Sequence, residues 1–210
     1  MGRDLARQQQ PPVRTLLAAA PLARLRIRPA TAADGREVAA IYAPYVLGPG
    51  VSFELVAPDP TTMAGRIAAT LPTHPWLLAE CDGRTVAYAY AGVYGARPAY
   101  RWTTETAIYV GSSDCGRGVG QVLYPVLLAV LRAQGFRSAL ARIALPNPGS
   151  TRLHAQCGFT QIGTHPDAGC KHGVWYPIDY WSCPLNAAEP PAETIFFSAL
   201  PDLAGLLTTA

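Results

Sequence analysis

Apolar positions recur along this chain in two rhythms, one near the helical repeat and one near the strand repeat, interleaved as in a mixed α/β domain. LRIRPAT, from Leu25, alternates apolar and basic residues and predicts a first strand. Thr31 stands where it could cap a helix over residues 32–46, AADGREVAAIYAPYV. PTTMAGRIAATL, residues 60–71, predicts a second helix, with Pro60 near the first turn. WLLAEC and RTVAYAYAGVY flank Asp82-Gly83, a pair suited to a two-residue turn, and so predict a hairpin. A loop rich in Gly, Arg, Pro and Tyr over 94–101 precedes WTTETAIYV, which is β-prone throughout.

The strongest helical signal follows. Val119, Val122, Leu123, Val126, Leu127, Val130 and Leu131 share one helical face, and Gly135 follows as a terminator. FRSALARIAL then predicts a strand, PGSTRLHAQCG a short helix, and FTQIG and VWYPIDYWSC the closing strands. No repeat or linker interrupts the pattern. Residues 25–185 are therefore expected to form one α+β domain, a mostly antiparallel mixed sheet flanked by helices. Residues 1–24 are expected to be a disordered extension, because a Gln/Pro-rich insert and Arg24, Arg26 and Arg28 break the pattern of a secretory signal. Beyond Asn186 the sequence leaves open whether IFFSALPDLAGLLTTA packs on the domain or stays disordered.

Composition narrows the classes. With 210 residues, 50% apolar and 15% charged, the chain can bury the core of one ordinary domain. A net charge of +3 with scattered arginines gives no stripe for nucleic acid. No apolar run is long enough to span a membrane. The five cysteines contain no CxxC pair and no zinc spacing, so reduced thiols in a cytoplasmic protein and no metal site are expected.

The candidate chemistry centres on DCGRGVGQ, residues 114–121, directly before the amphipathic helix. A phosphate loop of the Walker type needs a Gly-Lys-Ser/Thr ending, which is missing. A dinucleotide fingerprint needs G-x-G-x-x-G and a later acid; here the spacing is G-x-G-x-G and the next strand carries no acid. A pyrophosphate held on exposed N–H groups at a helix N-terminus fits, with Arg117 adding charge; a simple Gly-rich turn is the other reading. Glu105 is an acid in an apolar strand ending just before this loop, where a buried carboxyl would be suited to accept a proton.

Strand, R-G-x-G loop, helix and strand together resemble the acyl-CoA-binding core of the GNAT N-acetyltransferases. The likeness is nearest to phosphinothricin and methionine sulfone/sulfoximine acetyltransferases. It runs from about Arg26 to Leu185 through HPWLLAECDG, YAYAG, ARPAYRWTTETAIYV, RGVGQVLYPVLL, AQGF, ALPNPGSTRLHAQCGF and KHGVWY. The resemblance implies the GNAT fold, acetyl-CoA as co-substrate, and acetyl transfer to the α-amine of a small amino-acid-like acceptor by direct attack. It implies backbone contacts from Ile108, Tyr109 and Val110 to the pantetheine arm. Gly116, Arg117, Gly118, Val119, Gly120 and Gln121 would cradle the pyrophosphate, with Asn147 assisting. Glu105 falls on the family's catalytic glutamate, His154 would share or relay the proton, and Tyr124 would protonate the leaving thiolate or steady the substrate.

Acceptor recognition is expected from Arg97 as a forked anion donor, walled by Tyr100 and Phe53. Lys171 and His172 belong to a family motif and are candidates for the site wall or a subunit contact, and a homodimer is implied by the resemblance alone. Three departures stand out: Cys115 opens the loop, Gly95 replaces a lysine, and Pro125 lies inside the helix. Another small amine or a protein N-terminus as acceptor, or an inactive acyl-CoA-binding protein, are the alternatives.

Overall fold

The computed structural model describes residues 25–187, 189 and 191–208, so the extension expected over residues 1–24 lies outside the described residues. Seven strands form one sheet: β1 Leu25–Pro29, β2 Trp76–Cys81, β3 Arg84–Val93, β4 Thr103–Val110, β5 Ser138–Ala144, β6 Thr160–Lys171 and β7 Val174–Pro184. The helices are α1 Gly35–Leu47, α2 Pro60–Thr70, α3 Val119–Ala133, α4 Pro148–Gln156 and α5 Leu203–Thr208. The sheet order is β1-β2-β3-β4-β5-β7-β6, antiparallel throughout except for β4 beside β5.

The two faces of the central strands explain why β2 and β3 read as nearly unbroken apolar runs. Alternate side chains point to opposite faces of a strand. Leu77, Ala79, Ala87 and Ala89 pack with Leu123, Leu127, Val130 and Leu131 of α3. Trp76, Leu78 and Tyr88 pack on the other face with Val38, Ile41, Met63 and Ile67 of α1 and α2. A sheet covered on both faces has no polar side to show in sequence.

One irregularity creates the site. β4 pairs with β3 from Thr104 to Val110, but with β5 only at Thr103, Thr104 and Glu105. Beyond Glu105 the two parallel strands part, bridged at the fork by a 3.2 Å hydrogen bond from Thr106 Oγ1 to the Leu140 carbonyl.

The structure departs from the sequence expectations at residues 32–34 and in β6, keeps the expected helix continuous through Pro125, and answers the question left open for the tail. Residues 32–34 form a 3-10 turn before α1, and there Asp34 gathers the Thr31 N–H at 2.7 Å, the Thr31 hydroxyl at 2.9 Å and the Arg28 fork. α3 runs through Pro125, which lies on its exposed side, so the carbonyl left without a partner one turn back can meet solvent. β6 extends from Thr160 to Lys171, well past FTQIG; it is an edge strand, mostly exposed and twice shifted in register, so no alternating pattern marks it. The described residues of the tail from 194 to 207 pack on the domain. Phe197 is buried, Gln134 Nε2 donates to the Thr73 and Ile195 carbonyls at 3.0 and 2.8 Å, and Leu203, Leu206 and Leu207 lie against the main core.

Candidate active site

The parting of β4 and β5 opens a cleft of about 400 Å³ bordered by residues 106–110 of β4, the glycine loop and the start of α4. The Gly111 N–H donates to the Val86 carbonyl at 2.7 Å, which fixes the phase of the β3–β4 ladder. Backbone groups alternate sides along an antiparallel ladder. Ile108 and Val110 therefore face the opening, whereas Tyr109 turns its N–H and C=O to β3; of the three expected backbone contacts, Tyr109 is not available. The Val110 carbonyl already accepts from Tyr45 Oη at 2.6 Å, leaving Ile108 and the Val110 N–H without a strand partner.

The loop then presents the end of α3. Gly116 and Gly118 have φ of 76° and 83°, a left-handed conformation that side-chain-bearing residues adopt at a cost. Gly118 caps α3 without any side-chain hydrogen bond; the Gln121 N–H turns back to the Gly118 carbonyl at 3.0 Å, and the Val119 and Gly120 N–H groups of this 15-residue helix are left for an outside acceptor. Gly116, Gly118, Gly120, Gln121 and Asn147 border the cleft. Val119 packs its side chain into the core and offers only its N–H at the start of α3, and Arg117 Nη1 is held 3.2 Å from Asp114 Oδ1. Asn147 Oδ1 accepts from the Ser150 N–H at 3.1 Å and so caps α4.

Asp114 is a residue that sequence reasoning missed. It is buried beneath the loop, where Arg84 forks it at 2.8 and 2.9 Å and holds its carboxyl below the ordinary range. Cys115 is exposed at the cleft rim, with Sγ 3.7 Å from both Tyr45 Oη and the Val110 carbonyl.

A second cleft of about 360 Å³ lies beside the first. Thr106, Ala107, Tyr109 and Arg142 border both, so the two open into one another at the fork. Glu105 and Phe53 line the second cleft. Glu105 is not enclosed by apolar groups as its strand suggested: Arg142 Nε and Nη2 fork its carboxylate at 2.6 and 2.9 Å. Opposite, the Tyr42 hydroxyl bonds Ser52 Oγ at 2.7 Å and Glu54 at 3.0 Å. The Arg66 fork holds the Glu54 carboxyl below its usual range, and burial pushes the Tyr90 phenol up to about 12.

His154 and Tyr124 meet, but neither borders the two clefts. The Tyr124 hydroxyl lies 2.8 Å from Thr106 Oγ1 and 3.0 Å from His154 Nε2, and His154 Nδ1 lies 2.8 Å from the Ser150 carbonyl. A carbonyl can only accept, so Nδ1 carries the proton, Nε2 takes the tyrosine's, and the single Thr106 hydroxyl proton is shared between Tyr124 Oη and the Leu140 carbonyl. Both side chains are buried; burial lowers the histidine and raises the tyrosine in pKa. Phe159 stacks on Tyr124, which completes a core wall behind Thr106. Thr106, which borders both clefts, stands between them and this pair.

Arg97 and Tyr100 also border neither cleft. They lie on the exposed 94–101 loop, where Tyr100 meets Tyr94 edge-on at 5.4 Å. A Cβ at Gly95 would come within 2.8 Å of the Tyr100 ring, which accounts for the glycine there. Lys171 is buried behind the second cleft, donating to the Ser52 carbonyl at 2.6 Å, while His172 occupies the β6–β7 turn. Arg142 was overlooked in the sequence. Its signal is a charged residue inside ALARIAL, the one exposed position of β5.

Residues 27–178 match the acetyltransferase (GNAT) domain family. The chain belongs to the GNAT acetyltransferases. This GNAT chain is 40% identical over 167 residues to a phosphinothricin N-acetyltransferase of Streptomyces viridochromogenes, covering 80% of itself and 91% of that relative. It is 31% identical over 124 residues to a methionine sulfoximine/methionine sulfone acetyltransferase of Salmonella typhimurium, covering 59% and 72%. The GNAT fold is also that of a Sinorhizobium meliloti phosphinothricin acetyltransferase solved with acetyl-CoA: TM-score 0.77, 31% identity, 85% and 97% coverage. A Salmonella typhimurium acetyltransferase with acetyl-CoA gives TM-score 0.77, 28% identity, and 80% and 98% coverage.

Proposed function

We propose that this protein transfers the acetyl group of acetyl-CoA to the α-amine of a small amino-acid-like acceptor such as phosphinothricin or methionine sulfone/sulfoximine. The observation that carries the reading is the junction of the two clefts at the β4–β5 fork, with Glu105 beside it. The first cleft suits acetyl-CoA. The free β4 edge at Ile108 and Val110 offers a ladder to an amide-bearing arm, and the uncapped α3 end with its left-handed glycines suits a pyrophosphate. When bound there, acetyl-CoA supplies a thioester carbonyl open to an amine.

The chain's own groups do the rest. An ammonium has no lone pair, so a base must first take a proton from the acceptor amine. Glu105 is the titratable carboxylate at the junction and has that role in this reading. Phe53, placed across the second cleft and packed on Gly169, limits acceptor size. Backbone N–H groups of the split strand are positioned to polarise a carbonyl without reorganising. His154 and Tyr124 act through Thr106, keeping the fork in place rather than touching substrate. A homodimer is part of the same reading, supported by the exposed Leu47, Leu55, Val56 and Trp175 side chains.

The test is a thiol-release assay with phosphinothricin, methionine sulfone, methionine sulfoximine, ordinary amino acids and simple amines. Turnover confined to amino-acid-like acceptors is expected; turnover on simple amines or protein N-termini alone overturns the acceptor assignment. Acetyl-CoA binding without turnover on anything overturns the enzyme.

A further inference from the structure

β5 lies between β4 and β7 in the interior of the sheet, and its other residues are buried or half-buried. Arg142 alone in that strand is exposed, and it borders both clefts at their junction. A half-exposed guanidinium in such a strand forgoes packing, and a facing carboxylate fixes its orientation. Glu105, brought alongside by the parallel pairing of Glu105 with Leu140, is that carboxylate.

The fork uses only one edge of the guanidinium. Nε and Nη2 reach the two Glu105 oxygens, and Nη1 makes no hydrogen bond among the described residues. The Arg142 side chain is 52% exposed, so the unused edge is open to a ligand. The planar guanidinium matches a carboxylate bidentately on each edge. We infer that Arg142 binds the α-carboxylate of the acceptor through its Nη1 edge and is the residue that selects α-amino acids over simple amines.

The geometry of an α-amino acid makes the two contacts cooperate. Its amine and carboxylate sit on one carbon. A carboxylate on the outer edge of Arg142 therefore brings the amine to the side where Glu105 already lies. The same guanidinium thus fixes the acceptor and the base relative to one another. It also supplies the anion donor expected from Arg97, which stands outside both clefts. The inference rests on the amino-acid-acceptor reading above.

The test compares methionine sulfone with its α-carboxamide, with rates referred to the neutral-amine fraction of each because the amide lowers the amine pKa, in the native protein, R142M and R142K at saturating acetyl-CoA. The native protein is expected to prefer the acid by about 10- to 100-fold in kcat/KM, the range for hydrogen bonds to a charged group. R142M should bring the acid/amide ratio to about one, mainly through KM for the acid, and R142K should leave it between the two. Loss of the partner for Glu105 would slow both compounds alike and cancels in the ratio. If R142M does not fold, R142K carries the same reading. A ratio unchanged in R142M, or a native ratio near one, overturns the inference while turnover of the acid leaves the acetyltransferase reading intact. No turnover of either compound by the native protein overturns both.

Discussion

The two clefts that meet at the β4–β5 fork are built from different materials. The first is made mainly of backbone: an unpaired strand edge, left-handed glycines and a helix N-terminus. The second is made of side-chain charge, Glu105 with Arg142 on one wall and Glu54 with Arg66 beyond it. Backbone recognition suits a ligand that stays the same, since it depends on conformation more than on side-chain identity. Side-chain recognition suits the ligand that varies, because one substitution alters it. The difference implies that changes in the first cleft act on donor binding and changes in the second on acceptor choice and proton transfer.

The sharpest way to break that division is Glu105→Gln. It should lower kcat by about 10²- to 10⁴-fold, the usual weight of a general base, with KM for acetyl-CoA unchanged. Steady-state kinetics at neutral pH check it, and full kcat in the variant would remove Glu105 from the chemistry.

Next in size is Tyr124→Phe, which addresses the wall shared by both clefts. Removing the hydroxyl leaves buried His154 Nε2 without its donor and Thr106 Oγ1 with only the Leu140 carbonyl. A stability loss of about 1–3 kcal/mol in urea titration is expected. kcat should change by less than about tenfold, below the usual weight of a proton donor; a larger loss with native stability would mean that the phenol acts in the reaction itself.

On the donor side, Gly118→Ala forces a side-chain-bearing residue into a left-handed conformation at a cost of about 1–2 kcal/mol. The expected result is a rise of about tenfold in KM for acetyl-CoA, as that strain converts, with acceptor KM unchanged. Calorimetric binding of CoA measures the donor side directly; an effect on the acceptor alone would reverse the assignment of the clefts.

The smallest effect is in pH. Burial holds the His154 ring below its ordinary value of 6.5, so between that lowered value and 6.5 the unfolded chain binds more protons than the folded one. The stability from keeping this ring neutral is present above 6.5 and lost as pH falls through that window, at up to about 1.4 kcal/mol per pH unit for one proton. His74, also lowered by burial, adds a slope of the same sign. His154→Gln should flatten the acid limb of a stability profile but not abolish it. An unaltered slope would show that His154 is not the titrating group.

The same contrast explains what could be foreseen. The glycine loop and the helix behind it are one short stretch, DCGRGVGQ followed by an apolar stripe, and local conformation writes itself into local sequence. The central strands were equally legible because burial on both faces demands unbroken apolar runs. Glu105 and Arg142 lie 37 residues apart and meet through strand pairing, a relation that no spacing reveals. Arg97 is the opposite case: its chemistry suits an anion and was legible, but the exposed loop carries it outside the linings of both clefts. Only the start of β6 was legible, and its extension to Lys171 was not, because an exposed edge strand imposes no periodicity.

The short pairing of β4 with β5 has a further consequence, for exchange with solvent. A sheet's free N–H groups normally lie on its outer strands, where another chain can add to them. Here Ile108 and Val110 carry such groups in the middle of the sheet, recessed in a cleft between β4 and the glycine loop. In deuterated water these two amides should exchange far faster than the Tyr109 amide between them, and slow when the cleft is filled. Hydrogen exchange at alternate residues of one strand would then count ligand occupancy directly, with no label and no turnover.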